Sequence, residues 1–91
     1  ASRLKPSGNT LDTLGWVQLK RGNINGAVKS LRTALEMDPD SPEIQYHLAV
    51  ALAKQDETDQ AKELLRKALA GGEPFEEQQE AEAELARLEK Q

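Results

Sequence analysis

His47 is the single histidine of a 91-residue chain that has no cysteine. Any metal or acid–base chemistry therefore has to be built from it and from carboxylates. Its helical neighbours three and four positions away are Glu43, Ile44, Val50 and Ala51. Zinc takes three or four protein ligands, so one flanking glutamate makes a poor site. His47 reads as a helix-face histidine without a role, and no metal or cofactor is expected. Ser2, Ser7, Ser30 and Ser41 have no evident base partner, so no nucleophile–base–acid set assembles. Glu76, Glu77, Glu80, Glu82 and Glu84 are closely spaced, yet without a pocket they solvate rather than catalyse. Gly71-Gly72 lacks the Lys-Ser or Lys-Thr of a phosphate-binding loop. The chain reads as a non-enzyme.

Composition narrows the partners. Twelve basic residues stand against sixteen acidic ones, for a net charge of −4. Such a chain lacks the basic field that attracts a phosphate backbone, so nucleic acid is excluded. No apolar run approaches the ~20 residues that span a bilayer, so no direct membrane insertion is expected. Only one Trp, one Tyr and one Phe are present, which leaves Leu and Ala to build the core. Absence of cysteine suits cytoplasm and periplasm or cell envelope alike, and leaves localisation open.

The elements that would position these residues follow from an internal repeat. Leu14, Gly15, Ala27, Leu31, Ala34 and Leu35 recur 34 positions later as Leu48, Ala49, Ala61, Leu65, Ala68 and Leu69. Lys20 recurs in the same way as Lys54. A period of that length marks a helix–turn–helix unit that stacks on its neighbours. The predicted architecture is an all-α solenoid of two repeats plus a C-terminal capping helix, over residues 8–41, 42–73 and 74–91. Residues 1–7 read as the tail of a preceding repeat or a linker, because Arg3-Leu4-Lys5-Pro6 echoes Glu36-Met37-Asp38-Pro39. A fragment of a longer array is expected.

Five helices are predicted. Asn9-Thr10 caps the first, whose apolar residues are Leu11, Leu14, Val17 and Leu19, and Gly22 ends it. The second runs from Asn25 to Met37, and Pro39 stops it. Ser41-Pro42 opens the third, which carries Ile44, Leu48, Ala49, Ala51, Leu52 and Ala53. Thr58-Asp59 caps the fourth, which buries Ala61, Leu64, Leu65, Ala68 and Leu69 and ends at Gly71-Gly72. Glu73-Pro74 restarts the chain into a last helix reaching Lys90. Its thin stripe of Ala81, Leu85, Ala86 and Leu88 and its many glutamates fit a solvating cap. Gly15 and Ala49 are small where paired helices approach most closely.

At these positions the chain resembles the tetratricopeptide repeat family. Leu11, Leu14, Gly15, Gly22, Ala27, Leu31, Ala34 and Pro39 follow its pattern, and so do Leu48, Ala49, Ala61, Leu65 and Ala68. Asp56 replaces the turn glycine, and Glu73 the final proline. More narrowly, Leu11–Val17 and Pro42–Leu52 resemble the C-terminal repeats of bacterial envelope proteins associated with exopolysaccharide systems. The resemblance implies a scaffold that binds a protein or peptide partner in a concave groove. Its register places Asn9, Asp12, Trp16, Leu19, Lys20, Glu43, Tyr46, Val50, Ala53 and Lys54 there. Trp16 and Tyr46 would anchor an apolar side chain; alternatively they pack internally, or the module self-associates. Lys20 and Lys54 would meet carboxylates at the rim or form a solvated face. Repeats that clamp chaperone tails carry Lys and Asn where this chain has Asp12, Trp16 and His47, and Asp12 would repel the carboxylate. A regulatory part of an enzyme whose catalytic domain lies elsewhere is the rival class.

Overall fold

A computed structural model describes residues 8–71 and 75–90. The tail expected over residues 1–7 and the restart at Glu73-Pro74 lie outside the described residues. Five helices follow one another: α1 (Gly8–Lys20), α2 (Ile24–Met37), α3 (Pro42–Lys54), α4 (Thr58–Ala70) and α5 (Gln78–Glu89). No strand occurs among the described residues.

Local chemistry sets the helix ends. α1 begins at Gly8, so Asn9 and Thr10 lie within its first turn rather than capping it. Asn23 caps α2, its side-chain oxygen accepting from the Gly26 amide at 3.2 Å. Ser41 caps α3 as expected, accepting from the Ile44 amide, with Pro42 at the first helical position. The α4 cap differs: Thr58 opens the helix and the preceding Glu57 makes no side-chain cap bond. Asp56 has φ 64° where the equivalent Gly22 has φ 87°. Aspartate is among the few side chains that visit this left-handed region, which is how it replaces the turn glycine. α5 starts at Gln78, later than the Pro74 restart implied. Phe75 packs on the core, and the Gln78 amide closes a turn onto its carbonyl.

α1 pairs with α2, and α3 pairs with α4. α3 sits at the centre, against α1, α2, α4 and α5. It is accordingly buried almost all round, from Ile44 through Ala49 and again at Ala51 and Leu52. α4 is followed by α5 as α2 is followed by α3, so the terminal helix continues the stack. Leu31, Ile44, Leu52, Leu65 and Leu88 are the largest fully buried side chains. Leu64 and Leu69, expected inside, are only half-buried. The small residues stand where contact is closest: Ala27, Ala49 and Ala61 have no exposed surface.

The same register positions fare differently in the two pairs. Leu48 and Ala51 of α3 are buried, whereas Leu14 and Val17 of α1 are 47% and 44% exposed. Leu14, an apolar residue of the predicted first helix, is thus largely exposed.

Candidate partner-binding face

The predicted groove residues divide into three groups. The backbone of Asn9 lies in α1, and its side chain is outside the described residues. Asp12, Leu19 and Tyr46 are buried, Leu19 and Tyr46 in the main apolar cluster and Asp12 in a polar contact beside it. Trp16, Val50 and Ala53 are half-buried against that cluster, while Lys20, Glu43 and Lys54 are exposed. Trp16 and Val50 share a register position on the adjacent helices α1 and α3, as do Lys20 and Lys54. Trp16 and Val50 both pack against the apolar cluster, and Lys20 and Lys54 are both exposed. Lys20 Nζ lies 4.9 Å from the centre of the Trp16 ring, within cation–π range.

The aromatic contacts continue inward from Trp16. Trp16 stacks on His47 with ring centroids 4.1 Å apart and planes 26° apart. Tyr46 is tilted against both, at 6.1 Å from Trp16 and 5.4 Å from His47. Burial raises the Tyr46 hydroxyl pKa above its ordinary value, and Glu77, Glu84 and Glu80 raise it further. Tyr46 therefore stays a neutral phenol, packed beneath the acidic side of α5. Of the two aromatics, Tyr46 is buried and Trp16 only half-buried.

His47 corrects the sequence reading. It is 6% exposed, and its ring nitrogens face two carboxylates. Nδ1 lies 2.6 Å from Asp12 of α1, and Nε2 lies 2.8 Å from Glu77 in the turn before α5. The nearby Glu43 is exposed, and the true partners come from elements distant in sequence. Burial alone would lower the pKa of His47, but hydrogen bonds to Asp12 and Glu77, with their charges, outweigh it and raise it. Asp12 is thereby committed to an internal ion pair and is not presented to a ligand. Among the described residues no group of three or more His, Cys, Asp or Glu side chains is arranged so that it could hold a metal ion.

A sequence signal for this site did exist. From Ile44 to Ala53, α3 carries no Asp, Glu, Lys or Arg. A helix with so long a stretch free of them is buried all round, and a histidine within it has to be satisfied. The partners themselves lie 35 and 30 residues away, beyond any helical spacing rule.

Other polar contacts hold the elements in place. The Gln45 side-chain amide donates to the Pro39 carbonyl at 2.9 Å, fixing the α2–α3 turn. The Gln55 side-chain amide donates to Asn25 at 2.7 Å, tying the end of α3 to the start of α2. Arg66 pairs with Glu89 at 3.1 Å between α4 and α5, and Arg87 pairs with Glu84 within α5. A separate hollow of about 770 Å³ opens between the ends of α2 and α4 and the start of α3. Leu35, Pro42, Gln45, Leu64 and Lys67 line it, and it shares no residue with the predicted groove.

Stacked helical pairs, with a fifth helix continuing the stack, define an all-α repeat solenoid. The tetratricopeptide repeat family model matches residues 18–88, and the chain belongs to that family. The matched span runs from within α1 to within α5, so the terminal helix is part of it. Tetratricopeptide repeats are generally protein–protein interaction modules and a non-catalytic repeat type. No curated protein matches the chain. No described helix is long and apolar enough to cross a membrane.

Proposed function

We propose that the chain is a non-catalytic binding module that holds a peptide or partner protein on the strip formed by Trp16, Val50, Lys20 and Lys54. Two repeats, 8–41 and 42–73, form the body, and the helix within 74–91 caps it. The observation that carries this reading is the half-buried Trp16, with the exposed Lys20 ammonium 4.9 Å from its ring centre. Such a surface suits an extended segment that offers an apolar side chain next to a carboxylate. Aromatic anchors of this kind dominate interface energetics, and rim charges add orientation.

The lysines are the better place to test it. Tyr46→Glu would put a carboxylate into the core and unfold the chain, whereas Lys20 and Lys54 are exposed. Lys20→Glu with Lys54→Glu is expected to keep parental helicity and to reduce partner recovery in affinity capture at least ~10-fold, the loss of roughly 1.4 kcal/mol. Equal recovery from parent and variant would move the contact off this strip.

Self-association is a second reading, favoured by the open face of α1. Leu14 and Val17 are exposed where their equivalents Leu48 and Ala51 are buried. Two copies meeting there would bury a small area, well below that of a standard interface, so the dimer would be weak. Sedimentation of the parent is expected to show concentration-dependent dimerisation that Leu14→Glu removes. A parent that stays monomeric at millimolar concentration would dispose of the reading.

A further inference from the structure

The contacts of His47 can be satisfied in only one of its two protonation states. Nδ1 lies 2.6 Å from Asp12 Oδ1, and Nε2 lies 2.8 and 3.0 Å from Glu77 Oε1 and Oε2. Ionised carboxylates only accept. The imidazolium donates at both nitrogens, while the neutral ring has one N–H and one lone pair. The three groups sit on separate elements: Asp12 on α1, His47 on α3, and Glu77 in the turn leading into α5.

We infer that Asp12, His47 and Glu77 form a proton-operated clasp. The imidazolium ties the start of α5 to α1 and α3, and loss of one proton releases the Glu77 arm and undocks α5. The choice of arm follows from burial and backbone. Asp12 is the more enclosed carboxylate, with its side chain 12% exposed against 25% for Glu77. A desolvated carboxylate left without a donor costs more than one that can turn to water, so the remaining N–H stays with Asp12. The Nε2 lone pair then faces the Glu77 carboxylate, and the two repel. Asp12 is held within a helix, whereas Glu77 stands in a turn and can rotate away.

Apart from the clasp, α5 is held by Ala81 and Leu88 in the main apolar cluster and by Leu85 packed against it, chiefly on the α4 side, so the clasp is its polar tie to α1 and α3. Its ion pair to α4 is the exposed Arg66–Glu89 contact. Exposed ion pairs contribute little. Undocking uncovers Tyr46, which the acidic side of α5 faces, and the α3–α4 surface beneath Ala81 and Leu88. Glu80 and Glu84 of α5 face Tyr46, whose ring packs beside that of the histidine, while Asp12 and Glu77 are the carboxylates that act on His47 itself. Lys20 of α1 is the cation on this side, placed over the Trp16 ring that stacks on His47. Among the described residues, α2 and α4 place no ionisable group in hydrogen-bond or ion-pair contact with His47. The raised pKa of His47 puts the release on the alkaline side of the ordinary histidine value of ~6.5.

Amide hydrogen exchange, corrected for intrinsic rates, tests the clasp on the full chain between pH 6 and pH 9. The single histidine makes its ring resonances an unambiguous record of the titration. Protection over Ala81–Leu88 is expected to fall more than threefold in step with that titration, while protection around Leu31 in α2 holds. In Glu77→Gln the side-chain amide can accept from the imidazolium or donate to the neutral ring, so α5 protection is expected to stay high at both pH values. Protection of α5 that is flat across pH in the parent would overturn the inference. So would loss of α2 protection in parallel, or a Glu77→Gln variant that keeps the parental pH dependence. Should that variant fail to fold, the α5-to-α2 comparison in the parent still decides.

Discussion

Gly15→Leu is expected to destabilise the fold by about 3 kcal/mol, the upper end of the usual overpacking cost. In a thermal melt that corresponds to a fall of more than ~10 °C for a domain of this size. A Cβ built at Gly15 would lie 2.6 Å from Leu31 Cγ and 2.9 Å from Leu31 Cδ2, with the Ala27 carbonyl at 3.3 Å. Leu31 has no exposed surface and belongs to the main apolar cluster, so it has nowhere to move. The only relief is separation of α1 from α2. That separation would strip packing from Ala27 and Ala34, which are fully buried in α2. Mid-helix glycine itself costs up to ~1 kcal/mol relative to alanine, so any larger residue begins with a propensity gain that the clash must exceed. A melt within a degree or two of the parent would show that α1 tolerates displacement and that Gly15 is not the contact point.

That glycine illustrates which features the sequence discloses. Close approach leaves a compositional trace, because only small residues fit, and the trace recurs at Ala49, Ala27 and Ala61. Helix starts at Ser41-Pro42 and ends at Gly22 are legible for the same reason: one local requirement selects a few residue types. Periodicity identifies an amphipathic helix but not what covers each side of it. Leu11, Leu14 and Val17 satisfy the helical spacing in α1, yet Leu14 and Val17 are exposed while their equivalents Leu48 and Ala51 are buried. Likewise α5 begins only at Gln78, since Phe75 is drawn to the core and Glu77 to His47. The candidate strip was readable as a register, through Trp16, Val50, Lys20 and Lys54. The burial of Asp12 and Tyr46 was not, because it depends on what α5 and His47 do from 30 or more residues away.

Replacing His47 with alanine is expected to cost about 3 kcal/mol at pH 6, the low end of the range for breaking a buried ion pair. The low end applies because Glu77, partly exposed, can turn to water, whereas Asp12 remains enclosed with no donor. Loss of the Trp16–His47 stack adds to the effect in the same direction. The deficit depends on pH with a defined sign. The folded-state pKa of His47 lies above its unfolded value, because hydrogen bonds to Asp12 and Glu77 outweigh the burial that alone would lower it. The contribution is therefore fully present below the unfolded value of ~6.5 and is lost as pH rises through the raised folded value. Parent and variant should differ by more than ~10 °C in melting temperature at pH 6 and by clearly less at pH 9. The convergence comes from the parent losing stability, since the variant has no imidazole to titrate. A gap that stays constant would mean that packing of the ring, not its charge, holds the site. A gap that widens toward alkaline pH would require the neutral ring to bind the folded state better than the imidazolium does. Two carboxylates facing the two ring nitrogens make that sign of linkage physically inconsistent with the site.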